Sequence, residues 1–461
     1  MAYYRDIPVE VTTEILSRMP VKSLHRFKCV CKSWKNLIES HDFCKHHLFR
    51  SLKINSTNFS LILTTWHTTL HINDTLTLFP FLNRAYLDCN DIDNLDINRL
   101  ILPPSFQPSP DKISRGNYGF PCKPRPKKVT YGRIDIAGSC HGLVLVLCGT
   151  HHAAVCNPSI NDLKHSSFWK ILPTINFNSS KHNTHDSTYV LNLDDQPLQR
   201  DVVRTFQFMI FGFGYDIYSH CYKVVCFTPG NALIYNLSKG NPSWRMIDLP
   251  ELELASEFEQ DINDYKLYIQ PHNHGVVVNN HLHWNITEYD PQIFEYSKET
   301  ILTFNLHNEV WGTMPVPEPE ELYQGYFMKG FIVKPYILEL GVLNGCLCLL
   351  MSRGISSTHL GLWIMKEYGV EESWTKVCNV PNGSGIPVAY RVETQEYLLP
   401  GAQYGLGWYN PKSKRINKVG LHGCGCTGGH HYSTRVKICI ESFATPRMFL
   451  TETSEKIYQL V

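Results

Sequence analysis

The chain has 461 residues, 43% of them hydrophobic and 18% charged, with a formal net charge of +1. That composition supplies an ample core and excludes an extensively disordered protein. A near-zero charge gives no electrostatic reason for partnership with nucleic acid or an anionic membrane. No run approaches the roughly eighteen apolar residues of a membrane span.

Residues 1–50 read as a helical module. Pro8 suits a helix start, where its missing N–H is not needed. Val11, Ile15, Leu16 and Met19 then recur at helical spacing, and Pro20 ends the run. Leu24, Phe27 and Cys31 predict a second short helix, and Trp34, Leu37 and Ile38 a third. Asp42 is a candidate N-cap for one more turn ending at Leu48. Lys22, Arg26, Lys28, Lys32 and Lys35 line a basic face. So few helical residues are unstable alone, so the stripe must be covered by a partner or by a neighbouring domain.

After the module the period changes to that of strands. Residues 51–133 carry the first of them, with Phe59–Leu63 the clearest, and then a Pro-rich, basic connection over 102–133. From 134 to 461 a loose cycle recurs: strand, turn, strand, turn, strand bearing an aromatic. Gly138–Leu147, with Cys156-Asn-Pro-Ser159 and Trp169, opens it. Later cycles carry Gly212-Phe-Gly-Tyr-Asp216 with Trp244, Gly275–Trp284 with Trp311, and Gly341–Leu350 with Trp374. The last has Tyr397-Leu-Leu399 with Trp408. Repeats of short strands at this period predict a β-propeller, with 51–101 contributing to it. A β-sandwich fits the same turn spacing. The recurring tryptophans Trp169, Trp244, Trp311 and Trp374 read as blade core.

No reaction centre stands out. Gly212-Phe-Gly214 lacks the third glycine of a dinucleotide loop, and neither a P-loop nor a Gly-x-Ser-x-Gly elbow occurs. Cys140-His141 is a candidate thiol–imidazole pair, set aside because neighbours on one strand face opposite ways. Cys424, Cys426, His430 and His431 could suggest zinc, but Cys-Gly-Cys is tighter than the usual knuckle, and the segment reads as a glycine loop. No metal and no cofactor are therefore expected. Sixteen cysteines, several inside apolar runs, read as reduced core thiols, since the N-terminus lacks the apolar centre of a signal peptide. This points to the cytoplasm, with the nucleus also open. Glu251, Glu253, Glu257, Glu259, Asp261 and Asp264 form an acidic stretch that is either a solvated loop or a steering surface for a basic partner.

The strings Ile7-Pro-Val-Glu-Val11, Glu14-Ile-Leu-Ser-Arg-Met-Pro-Val-Lys-Ser-Leu24 and Phe27-Lys-Cys-Val-Cys-Lys-Ser-Trp34 resemble the F-box over residues 5–49. The resemblance implies insertion into a Skp-type adaptor and, through it, a cullin-RING ubiquitin ligase. It assigns Pro8, Ile15, Leu16, Pro20, Val21, Leu24 and Val30 to the adaptor face, with Trp34 and Leu37 holding the helices together. The strings Gly138-Ser-Cys-His-Gly-Leu143, Cys156-Asn-Pro-Ser159 and Gly212-Phe-Gly-Tyr-Asp216 resemble the kelch-like F-box-associated domain of plant F-box proteins. So does Trp363-Ile-Met-Lys-Glu-Tyr-Gly-Val-Glu-Glu-Ser-Trp374. Together with Ile440-Glu-Ser442 these are most similar to the S-locus F-box group. That group implies a non-catalytic substrate receptor whose target is a pistil S-ribonuclease in self-incompatibility. A receptor for an unrelated plant protein, or a ligand-binding propeller without a ligase role, remains the alternative.

Overall fold

The computed structural model describes residues 7–53, 59–71, 75–86, 94–100, 102, 128–131, 134–148, 152–160, 169–173, 209–228, 231–237, 243–249, 254–255, 267–268, 274–290, 295–317, 327–328, 331–332, 336–352, 358–401, 405–422 and 433–444. Glu251, Glu253, Glu257, Glu259, Asp261 and Asp264 lie outside them, as do Cys424, Cys426, His430 and His431.

Four helices lead the chain: α1 (Val9–Ser17), α2 (Val21–Phe27), α3 (Lys32–Glu39) and α4 (His41–Lys53). Pro8 and Pro20 are N-caps with extended ψ of 144° and 148°, one residue before the helices they open. The fourth helix is longer than the single turn expected, and its cap is Ser40, not Asp42. The Phe43 N–H donates to Ser40 Oγ at 3.2 Å, which satisfies an otherwise orphaned donor of the first turn.

The rest is a five-bladed β-propeller of small antiparallel sheets, and the sandwich is excluded. Blade one is built from Ile134–Cys140, Leu143–Cys148, His152–Cys156 and Trp169–Ile171. Blade two has Ile210–Asp216, Cys221–Thr228, Asn231–Asn236 and Trp244–Ile247. Blade three has Val276–Val278, His281–Asp290, Glu295–Asn305 and Trp311–Met314. Blade four has Tyr336–Leu343, Cys346–Ser352, His359–Met365 and Trp374–Pro381; blade five has Ala389–Arg391, Glu396–Gly401, Gly405–Asn410 and Arg415–Lys418. A further sheet closes the ring by pairing Phe59–His71 antiparallel with the C-terminal strand Ser433–Ile440.

Three stretches that read as single buried strands are hairpins. Gly138–Leu147 turns at His141-Gly142, Gly275–Trp284 at Asn279-Asn280 and Gly341–Leu350 at Asn344-Gly345, where every φ is positive. Two-residue turns of this kind match the twist of the strands they join. An unbroken apolar run conceals them, because Asn or Gly in a turn interrupts hydropathy for only two residues.

Each seam between neighbouring sheets is filled by one apolar cluster. Phe227, Trp284 and Phe304 join blades two and three; Ile301, Leu349, Trp363 and Trp374 join three and four. Leu350, Leu362, Leu399 and Tyr409 join four and five. Leu61, Leu398 and Trp408 join blade five to the closing sheet, and Ile62, Val144 and Cys439 join that sheet to blade one. At roughly 1.5–3 kcal/mol for each buried Leu-sized side chain, these seams are the main source of stability.

The tryptophans of the outer strands do serve the blade core, and two also stitch blades together. Trp244 Nε1 donates to the Pro173 carbonyl at 2.8 Å, and Trp374 Nε1 donates to the Pro315 carbonyl at 3.3 Å. In each case the acceptor follows the outer strand of the preceding blade. Gly275 shows how tightly the seam closes: a Cβ there would stand 2.5 Å from Trp284 Cε2.

Between blades two and three lies a charged clamp that the sequence did not reveal. Lys223 Nζ sits 3.0 Å from Asp216 Oδ2 and 3.1 Å from Glu309 Oε1, and Arg245 also pairs with Glu309. Burial opposes the charged form of Asp216, yet hydrogen bonds from Ser219 and Lys223 outweigh it and hold its carboxyl below the usual range.

Candidate functional site

The helical module has two apolar faces. Leu16, Val21, Leu24, Ile38, Phe43 and Leu48 point inward and are buried. Phe27 meets Trp34 edge-on at 5.7 Å between ring centroids and lines the same core. Arg50 at 2.8 Å from Glu14 ties α4 to α1, and Lys28 at 3.4 Å from Glu39 ties the end of α2 to α3. Cys31 caps α3, its Sγ accepting the Trp34 N–H at 3.4 Å.

The outward face is different. Ile7 is 64% exposed, Val9 58%, Val11 47%, Ile15 51% and Val30 61%. Val11 and Ile15 are four residues apart and so share a side of α1. Pro8 and Pro20 are exposed as well. Lys22, Arg26, Lys32 and Lys35 are exposed as the basic-face reading expects, whereas Lys28 is drawn in by Glu39.

The proposed adaptor set therefore divides. Pro8, Ile15, Pro20 and Val30 lie at the surface, where a partner could reach them. Leu16, Val21 and Leu24 do not: at 1%, 1% and 0% exposure they are core. The physical reason is the 100° step between successive helix residues. Ile15 and Leu16 cannot share one narrow stripe, so two adjacent apolar residues mean two apolar faces. Trp34 and Leu37 do hold the helices together, as partly buried members of the inner core. Val9 is exposed as the first residue of α1, although it lies seven residues before Leu16 and so on that residue's side of the helix.

The inner core does not stop at α4. It continues into blades one and two, taking in Leu143, Phe213, Tyr215 and Tyr222, and into Phe443 and Ala444 after the last strand. The Phe443 ring lies 5.3 Å from the His25 ring and 5.6 Å from the His47 ring, with Lys28 Nζ 5.2 Å from its centroid. His47 Nε2 is 3.0 Å from the Met19 carbonyl, and burial lowers its pKa.

Residues 5–46 match the F-box domain. Beyond that match, about nine-tenths of the chain is similar to F-box proteins of a plant. The F-box protein CPR1 of Arabidopsis thaliana is 24% identical over 439 residues, 91% of this chain and 85% of that protein. An F-box/kelch-repeat protein of the same plant is 24% identical over 422 residues, 89% of this chain and 90% of that one. Over a much shorter stretch, a putative F-box protein of Arabidopsis thaliana reaches 54% identity across 41 residues, 9% of this chain and 11% of its own length.

The pair Cys140-His141 does not share a strand: Cys140 ends one and His141 opens the hairpin turn that follows. Burial pushes the Cys140 thiol up to about 12 and holds the His141 imidazole down to about 4. Both shifts favour the neutral forms, the reverse of what a thiolate–imidazolium nucleophile requires. Among the described residues no group of three or more His, Cys, Asp or Glu is placed to hold a metal ion.

Proposed function

We propose that this protein is a substrate-recognition subunit of an SCF-type cullin-RING ubiquitin ligase. In this reading a Skp-type adaptor covers the outward face of the F-box and links it to the cullin, while the propeller holds a protein target. Ubiquitin transfer itself belongs to the other subunits. One observation carries the reading. The F-box closes its inner core and still leaves Ile7, Val9, Val11, Ile15 and Val30 in water. Apolar side chains left exposed on and just before a short helix, with one more between α2 and α3, are what a helix-in-groove partner would cover.

The resemblance to the S-locus group supports a pistil S-ribonuclease as the target, met in the cytoplasm, with the nucleus as a second location. The acidic residues Glu251, Glu253, Glu257, Glu259, Asp261 and Asp264 would steer such a basic protein. Neither nucleic acid nor a membrane enters this reading.

The test of docking is co-purification of the full chain with a plant Skp-type adaptor. Ile15→Asp and Val30→Asp, both at exposed positions, should abolish it while leaving the unfolding temperature within a degree or two, since surface changes move stability by about 0.5 kcal/mol. Wild-type capture by both variants would sink the docking claim. The target is tested by direct binding of pistil ribonucleases to the chain and to a form with the six acids changed to amides. No binding by the native chain removes the target class, and equal binding by both removes the acidic stretch.

A further inference from the structure

A ligase receptor has to hold its target at a fixed place relative to the machinery it docks on, and the F-box here is joined to the propeller by more than its polypeptide link. The second connection comes from the opposite end of the chain. After the closing strand Ser433–Ile440, residues 441–444 run across blade one and meet the inner side of the F-box.

This short strap is pinned on the propeller side by named hydrogen bonds. Asn157 is fully buried, and its Nδ2 donates to the Ser442 carbonyl and to the Ala444 carbonyl, each at 2.8 Å. Ser442 Oγ donates to the His141 carbonyl at 3.0 Å and accepts the Ala444 N–H at 3.2 Å. The strap lies so close to the first hairpin of blade one that a Cβ on Gly142 would stand 2.1 Å from Ser442 Oγ. On the other side Phe443 enters the F-box, with His25, His47 and Lys28 around its ring at 5.3, 5.6 and 5.2 Å. The contact therefore spans two of the module's helices, since His25 and Lys28 belong to α2 and its C-cap, and His47 to α4.

We infer that Phe443, held by the Asn157–Ser442 latch, is the positioning residue that fixes the angle between the F-box and the propeller. Its functional meaning rests on the ligase reading, because a rigid angle matters only if the outward face of the F-box is docked. The chemistry of the contact suits the task. An aromatic plug flanked by two histidine rings and a cation has a preferred orientation, whereas an aliphatic contact could slide. Asn157 holds the strap by two of its backbone carbonyls, and Ser442 Oγ adds a side-chain tie to the first hairpin of blade one.

The experiment uses the full chain with spin labels on non-natural residues at exposed Asp42 of α4 and Lys412 of blade five, read as a distance distribution. Adaptor capture and thermal unfolding are measured on the same samples. The native chain should give one narrow distance. Phe443→Ala should broaden it at least twofold while retaining adaptor capture, because the docking face is on the other side of the helices. Phe443→Leu keeps an apolar plug and folds even if the alanine form does not; it should broaden the distribution too. A distribution as narrow as the native one in Phe443→Leu overturns the inference. So does an unfolding temperature that falls with no change in spread, since Phe443 would then be core and nothing more. Loss of adaptor capture by the native chain would strike the ligase reading alone and leave the measured angle intact.

Discussion

The F-box and blade two solve the burial problem in opposite ways. Every residue of the inner strand Ile210–Asp216 of blade two is buried, glycines and the aspartate included. Helix α1 is of similar length, yet of its residues only Leu16 and Ser17 are buried. The inner strand pairs along one edge with Cys221–Thr228, and its two faces pack into the clusters shared with the neighbouring blades, so its apolar content is used up within the chain. Helix α1, on the outside of a small bundle, is covered on one side, and the apolar residues on its other side remain available. Intrinsic hydrophobicity does not separate Leu16 from Ile15; what separates them is which side of the helix another part of the chain occupies.

That contrast can be broken, beginning where the effect is largest. Leu24→Asp puts a carboxylate at a fully buried position of the F-box, a cost of several kcal/mol. Helical circular dichroism should then show the module unfolding before the propeller. A single unchanged transition would mean the inner face is not a core. Next, Lys223→Ala strands the buried Asp216 carboxylate, which has no exposure of its own. Removing one partner of such a pair costs about 3–5 kcal/mol, and the double change with Asp216→Asn should recover part of it. Urea unfolding of the single and double variants measures this, and additive losses would show the two residues to be uncoupled.

Acid supplies a third way in. His141 and His283 are held neutral by burial, each with its pKa lowered to about 4. In the unfolded chain they take up a proton near pH 6.5. Between those values the unfolded state binds more protons, so stability falls as pH is lowered from about 6.5 and the loss levels off near 4. At about 1.4 kcal/mol per pH unit, each ring contributes at most about 3 kcal/mol. Asp216 and Glu309, whose carboxyls are held low, add their loss only below the ordinary carboxylate range. Urea midpoints at pH 7, 5.5 and 4.5 should decline in order; a flat profile would mean that the rings accept protons within the fold. The smallest effect on stability is expected at the outward face, where Ile15→Asp changes docking and little else.

Much of the fold was legible because period survives in the sequence. Helical spacing around Leu24, Phe27 and Trp34 gave the helices, and the recurring strand cycle with its tryptophans pointed to blades and left a sandwich open until the sheets were seen. The hairpins at His141-Gly142, Asn279-Asn280 and Asn344-Gly345 escaped notice, since two turn residues barely interrupt a hydrophobic run. The candidate site was half legible. The string from Pro8 to Val30 located the docking module, but the inner and outer members of that string are chemically alike. Leu16, Val21 and Leu24, which the string groups with Ile15 and Val30, are buried in the chain's own core.

What the sequence determined by itself is local: where helices start and stop, which stretches pleat, how often the cycle returns, and which known domain the first fifty residues resemble. Proline geometry, helical spacing and strand alternation act over a few residues, so they can be read there. Tertiary structure decided what depends on residues hundreds of positions apart. It paired Phe59–His71 with Ser433–Ile440 to close the ring, brought Lys223 to Glu309, and set Phe443 against His25 and His47. It alone decided which apolar face of α1 is spent on the chain's own core and which stays exposed, because burial is a property of neighbours and not of residues.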